Sequence, residues 1–212
     1  VLIYGATGST DLATIAASFA QDGISPIGMI GLLVAVLGVA FKIAAVPMHF
    51  YTPDVYQGAS SSVSAMLAFV PKAAGFLALM LLLGTAGWSY QGGGHLPVEL
   101  EATLWIMAAL TMTVGNVLAL LQGSVKRLLG YSSIAHSGYM LVGIISGPGA
   151  PGAPFYENGL AVVLFYLLTY GIMNTGTFAV LASLEHRNGR EADHMDDIRG
   201  ICKSHPLLGW TF

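Results

Sequence analysis

Residues Val63–Leu83 read VSAMLAFVPKAAGFLALMLLL, twenty-one positions carrying a single charge, the lysine at the tenth. A hydrocarbon core of about 30 Å needs roughly 20 apolar residues in helical form, so this stretch is long enough to cross a bilayer as one helix. It lacks period-two alternation and is too long for a barrel strand of about 10 residues, which argues against a β-barrel. Four further runs have the same character, at 27–46, 104–121, 128–146 and 159–184. A helix satisfies its own backbone in lipid, so five complete spans, with partial apolar segments at 1–20 and 206–212, is the economical arrangement. The sequence therefore predicts an all-α integral membrane protein: a multi-pass helix bundle, with residues 1–212 forming a single transmembrane domain.

Composition agrees. Of 212 residues, 55% are hydrophobic and 9% charged, against about 25% charged in an ordinary soluble domain. A net charge of −3 without a basic patch argues against nucleic acid as a partner. The single cysteine, Cys202, cannot form an internal disulfide, and no metal-ligand spacing surrounds it. The chain opens on Val1 in an apolar segment and closes on PLLGWTF, a new apolar run, which predicts an internal fragment of a longer protein.

The charges in the connections alternate. Residues 84–103 hold Glu99 and Glu101 and no basic residue, and 147–158 hold only Glu157. By contrast 122–127 hold Lys126 and Arg127, and 185–205 hold Arg187, Arg190, Arg199 and Lys203. The positive-inside rule puts the basic connections on the cytoplasmic side, and by parity the segment 47–62 with them. Two of the eight basic residues, Lys42 and Lys72, fall outside this pattern, inside apolar spans.

Lys72 stands near the bilayer midplane, where a lysine costs on the order of 3 kcal/mol and usually faces a bundle interior or a wet cavity. Its helical neighbours Ala65, Ala68 and Gly75 form a small-residue stripe that lets another helix come close. Pro71 precedes it and predicts a kink or break, because it removes one amide and crowds the carbonyl of Leu67. Lys42 lies on a similar stripe, Gly31, Ala35, Gly38 and Ala45, extended by His49 if the helix runs through Pro47. It either snorkels to the headgroups or faces the bundle, depending on the break expected near Pro47. Burial and nearby positive charge favour a neutral lysine and a carboxylate favours the ammonium, which suits a lysine to proton exchange.

Histidine needs little perturbation to join such a path, making His49 and His136 candidate relay residues. His136 sits in YSSIAHSGYM with Ser132, Ser133 and Tyr139 a turn away, a stripe that fits either a relay or an interhelical hydrogen-bond cluster. In TPDVYQG, Thr52 is expected to cap a helix with Pro53 at its first position, and Asp54 to favour the dipole or to transfer protons. Asn116 and Asn174 are expected to join helices. Gly92 to Gly94 form a glycine turn without the Lys-Ser/Thr of a phosphate loop.

The segments FKIAAVPMHFYTPDVYQGASSSVSAMLAFVPKAAGF, SVKRLLGYSSIAHSGYMLVG and YLLTYGIMNTGTFAVL, with the DHMDDIRG loop, resemble the subunit N branch of the antiporter-like membrane subunits of bacterial NADH:quinone oxidoreductase, respiratory complex I. Mrp-type sodium/proton antiporters share the lysine, VP-x-H turn and second lysine, while TPDVYQGA favours the subunit N branch. The resemblance implies the inverted-repeat transporter fold with broken helices in a bacterial inner membrane. It implies proton translocation through Lys42 and Lys72, with Lys42 paired to a glutamate that would precede Val1. It further implies other membrane subunits and lipid as partners. No cofactor would be bound by this chain, with NADH, FMN, iron–sulfur clusters and quinone on other subunits. The alternatives are a stand-alone Mrp-type antiporter subunit and a structural membrane scaffold.

Overall fold

The computed structural model of the protein describes residues 1–88, 94–152, 154–188, 193–204 and 206–211. The side chains of 185–188, 204, 210 and 211 are outside the description, so the side chain of Arg187, all of Arg190 and most of the Gly92 to Gly94 turn lie outside the described residues.

The described residues form α-helices α1 (Leu2–Thr7), α2 (Leu12–Asp22), α3 (Pro26–Ile43), α4 (Thr52–Gly58), α5 (Ser61–Gly84), α6 (Val98–Leu120), α7 (Val125–Ile145), α8 (Gly159–Asn188), α9 (Ile201–Ser204) and α10 (Pro206–Thr211). Two 3-10 turns, Phe155–Glu157 and Met195–Ile198, join them, and no strand occurs among the described residues. Five helices are long and apolar enough to cross a membrane: α3, α5, α6, α7 and Gly159–Leu184 of α8. Their starts follow from local chemistry. Ser25 accepts from the amide of Gly28 with Pro26 in the first turn, and Ser124 accepts from that of Arg127. Each cap satisfies an amide that the helix leaves open.

Large side chains such as Leu32, Val36, Phe76, Leu79, Leu104 and Leu141 meet in one core, while Val34, Met66, Val70, Ile106, Phe165 and Ile172 point outward. Helices come close where side chains are smallest. A Cβ on Gly115 would stand 2.6 Å from the amide nitrogen of Ala135, and one on Gly138 2.8 Å from that of Met112, so α6 and α7 are in near backbone contact. α5 packs on α3 and α8, and α4 on α7.

Two expectations about helix breaks resolve differently. α5 runs through Pro71 as one helix, so the break expected there does not occur. A proline deletes one amide only, and a spanning helix flanked by neighbours tolerates that. The interruption near Pro47 is present but begins earlier, at Ala44, in the left-handed conformation (φ 57°, ψ 37°). The amide of Ala45 bonds to Ala40 O at 2.9 Å and that of Ala44 to Phe41 O at 3.2 Å, the double closure of a Schellman motif. The Val46–Pro47 peptide bond is cis, and the chain re-enters helix at Thr52. Thr52 does not cap α4; the capping position is Tyr51, with no side-chain bond.

Candidate functional site

Lys72 projects from the middle of α5 and is 2% exposed. Its ammonium donates to the backbone carbonyl of Ser133 and, at 2.8 Å, to Ser137 Oγ, both on α7. It also lies 5.7 Å from the centre of the Tyr170 ring on α8, within cation–π range. No carboxylate among the described residues takes part. A buried ammonium solvated only by neutral dipoles is costly, and such residues in a membrane are ordinarily functional.

The interrupted end of α3 closes one side of this site. Ser137 Oγ, while accepting from Lys72, donates to the carbonyl of Ile43 at 2.7 Å. The amide of Val46 bonds to Thr111 Oγ1 of α6 at 2.9 Å, giving the interruption a second anchor. A Cβ on Gly75 would stand 2.5 Å from Ile43 Cγ2 and 3.2 Å from Lys42 Cγ, so the last turn of α3 rests on the bare backbone one turn beyond Lys72.

Lys42 is therefore beside α5, although it is exposed rather than turned into the bundle. It has no hydrogen-bond or ion-pair partner among the described residues. α3 stops at Ile43 instead of running on to Pro47, which leaves Lys42 in the last turn. A cavity of about 340 Å³ at the opposite end is lined by His95 and Glu101. A smaller one, about 200 Å³, is lined by both lysines together with Tyr51, Thr52, Tyr56 and Pro71. Thr52 is buried there, and the adjacent Tyr51 phenol donates to Phe41 O at 2.7 Å.

A hydroxyl network continues from the Lys72 site. Asn174 Nδ2 donates to the Tyr170 phenol at 2.7 Å, Tyr170 donates to Ser133 Oγ at 2.8 Å, and the Tyr56 phenol is 3.3 Å from the same oxygen. His136 joins from the far side: its Nδ1 is 2.6 Å from the Tyr166 phenol, and its ring centre lies 4.9 Å from that of Tyr170. Lys72 and His136 are thus gathered around one set of aromatic and hydroxyl groups, and Lys42 lines a cavity with Lys72, Tyr51 and Tyr56. His49 is not. It stands half-buried in the connection after Pro47, its Nδ1 without a hydrogen-bond partner, and burial pushes its pKa below the ordinary imidazole value, the Pro47 backbone opposing this in part. Asn116 donates to the Tyr139 phenol at 2.9 Å, a helix-joining bond between α6 and α7. Tyr56, Tyr166, Tyr170, Ser137 and Thr111 went unnoticed in the sequence; YSSIAHSGYM held the only hint, as a polar stripe.

The connections that carry the basic residues meet at one end of the bundle. Arg127 pairs with Asp54, so Asp54 serves an ion pair at the first turn of α4, and Arg127 also donates to Gln57 Oε1 at 3.2 Å. Gln57 Nε2 donates to the Asp193 carboxylate at 3.0 Å, and Ser124 Oγ donates to the same carboxylate at 2.6 Å. Burial pushes the Asp193 carboxyl up, but the bonds from Ser124 and Gln57, aided by nearby positive charge, outweigh it and hold the pKa below the usual carboxylate range. Lys126, one of the basic residues of the cytoplasmic connections expected from the sequence, is 0% exposed. The turn between α4 and α5 folds over it, and its ammonium donates to Ala59 O at 3.3 Å.

A family model described as NADH:quinone oxidoreductase/Mrp antiporter, transmembrane, matches residues 1–212. NADH-quinone oxidoreductase subunit N of Trichlorobacter lovleyi is 43% identical over 209 residues, 98% of this chain and 40% of that protein. Among solved structures, a chain of respiratory complex I from Thermus thermophilus with bound aureothin superimposes with a TM-score of 0.73 at 35% identity, over 99% of this chain and 40% of that one. A chain of the membrane-bound sulfane sulfur reductase, an archaeal respiratory membrane complex, does so with a TM-score of 0.80 at 26% identity, with the same coverage. The chain spans about 40% of the length of these relatives. With every residue from 1 to 212 inside the family match, the chain belongs to the NADH:quinone oxidoreductase/Mrp antiporter transmembrane family.

Proposed function

We propose that this chain is part of a subunit N-type membrane subunit of a bacterial NADH:quinone oxidoreductase and that it translocates protons. The observation that carries the proposal is Lys72, a lysine at the centre of a spanning helix, solvated by neutral groups and sharing a cavity with a second lysine. Lys72 is the central proton carrier. Lys42 exchanges charge with it through the cavity, so that a negative charge brought to the exposed side of Lys42 changes the proton affinity of both. His136, in contact with the tyrosines around Lys72, is the nearer relay candidate. His49 is the more distant one.

No electron passes through this chain. NADH, FMN, iron–sulfur clusters and quinone act on other subunits, and quinone reduction there drives the cycle. The partners are the other membrane subunits of the complex and the bilayer of the bacterial inner membrane. The subunit N name of the 43% identical relative favours this reading over a stand-alone Mrp-type antiporter.

The test is Lys72→Ala in the full-length subunit, assembled into its complex in proteoliposomes. The expected result is electron transfer that persists with fewer protons moved per electron. Undiminished pumping per electron would remove Lys72 from the path.

A further inference from the structure

We infer that Ser137 is a positioning residue that ties the protonation state of Lys72 to the end of α3 that carries Lys42. The inference rests on the proposed function for its biological meaning, and on geometry for its content.

The carbonyl of Ile43 has a particular deficit. In a continuing helix it would accept from the amide four residues on, but that residue is Pro47, which has none. Ile43 is 0% exposed, so water does not serve it from the surface. Ser137 Oγ does, at 2.7 Å, with Ser133 O at 3.2 Å as the alternative for its single hydrogen. The same oxygen accepts from Lys72 at 2.8 Å. Ser137 is thus the donor that substitutes for the missing proline amide, and it is held in that role by the ammonium.

An ammonium has donors only, so it fixes Ser137 as its acceptor and directs the hydroxyl hydrogen to Ile43 O. A neutral amine offers a lone pair. The hydroxyl hydrogen then turns to the nitrogen, and Ile43 O is left buried without a donor, a state buried carbonyls avoid. The proton leaving Lys72 enters the transport path; Ser137 keeps its own and only its O–H bond rotates. The α3 end is thereby secured when Lys72 is charged and loosened when it is neutral. The titratable groups around Lys72 are Lys42 from α3, Tyr51 at the interruption, Tyr56 from α4, His136 from α7, and Tyr166 and Tyr170 from α8. Ser137 is the group among its contacts that bonds both Lys72 and α3.

The experiment reads hydrogen exchange of the amides of Ala44, Ala45 and Val46 in the full-length subunit within its complex, relative to intrinsic rates, from mildly acidic to alkaline pH. Wild type should lose about 5- to 30-fold protection as Lys72 becomes neutral, the size of one or two kcal/mol. Lys72→Ala should abolish the pH dependence, and Ser137→Ala should give low protection at every pH, with the double variant no lower than Ser137→Ala alone. Ser137→Thr, or Ser137→Cys if the extra methyl disturbs packing, should restore the pH dependence in part. A pH-dependent loss of protection that survives in Ser137→Ala overturns the inference, as does its absence from wild type. If instead Lys72→Ala pumps normally while the exchange behaves as expected, the proposed function fails and the coupling stands.

Discussion

Gly75→Ala adds one methyl at the place where α3 ends on α5. The new carbon would stand 2.5 Å from Ile43 Cγ2 and 3.2 Å from Lys42 Cγ. Carbon atoms in contact prefer about 3.5–4.0 Å, so the last turn of α3 has to retreat by roughly 1 Å. Overpacking of this kind costs about 1–3 kcal/mol, and alanine in place of glycine in a helix interior returns about 1 kcal/mol. The net effect is a destabilisation of up to about 2 kcal/mol, with Lys42 displaced from Lys72. Gly176 on α8 is the control, because nothing lies within 4 Å of a Cβ there and Gly176→Ala carries only the stabilising part. Thermal unfolding of the purified complex and protons pumped per electron are the measurements. Gly75→Ala should lower both, and Ile43→Leu, which lacks the γ2 methyl at little cost in volume, should recover part of the loss. A Gly75→Ala variant as stable and active as Gly176→Ala would refute the close contact between α3 and α5 as the constraint on Lys42.

Ala44 adopts a left-handed conformation that costs an L-residue roughly 1–2 kcal/mol. Ala44→Gly should be neutral or stabilising by up to about 1 kcal/mol, whereas Ala44→Val, branched where branching is least tolerated, should lower the unfolding temperature clearly. Asp193 has a depressed pKa in the folded state, so its tether contributes fully above the ordinary aspartate value of about 3.9. It is lost as pH falls through the lower folded value. Protection of the Val125 amide, which bonds to Asp193 O at 2.7 Å, should therefore hold near neutrality and fall only in strong acid. Asp54→Asn removes a pair in which the carboxylate is 71% exposed, and its effect on stability should stay below about 1 kcal/mol and shrink further in high salt.

The five spans and the burial of Lys72 were legible because both are matters of composition along a single helix. A run of apolar residues sets a span, and one uncompensated charge at its centre has to face protein. The alternation of basic and non-basic connections likewise placed 47–62, 122–127 and 185–205 together, and Arg127–Asp54 and Gln57–Asp193 join them. The end of α3 was not legible. Schellman closures ordinarily carry glycine, and here alanine takes that position, so the apolar run reads on to Val46. Burial of Lys126 was hidden for another reason: a basic residue beside a turn reads as solvated unless the chain that covers it is known. The partners of Lys72 and Ile43 were hidden too, since Ser133 and Ser137 lie sixty-one and sixty-five residues from Lys72, and Ser137 lies ninety-four from Ile43. Spacing within a helix tells which residues share a face, and leaves open which face it meets.

On the proposed function, the neutral groups that surround Lys72 among the described residues make a moving proton compatible with a stable fold. A carboxylate beside a buried ammonium is strongly destabilising when either loses its charge, because the partner is left uncompensated. Hydroxyls and carbonyls behave differently. Ser137 can accept from an ammonium or donate to an amine, and the Ser133 carbonyl accepts from either. The site therefore tolerates both states without leaving a charge stranded. On the proposed function, Lys42, exposed and without a hydrogen-bond or ion-pair partner among the described residues, is where a charge arriving from outside this bundle would act first. The cavity shared by the two lysines and the α3 end held by Ser137 would then give that charge two distinct routes to Lys72, one electrostatic and one mechanical. The electrostatic route needs only proximity and survives Ser137→Ala; the mechanical one does not.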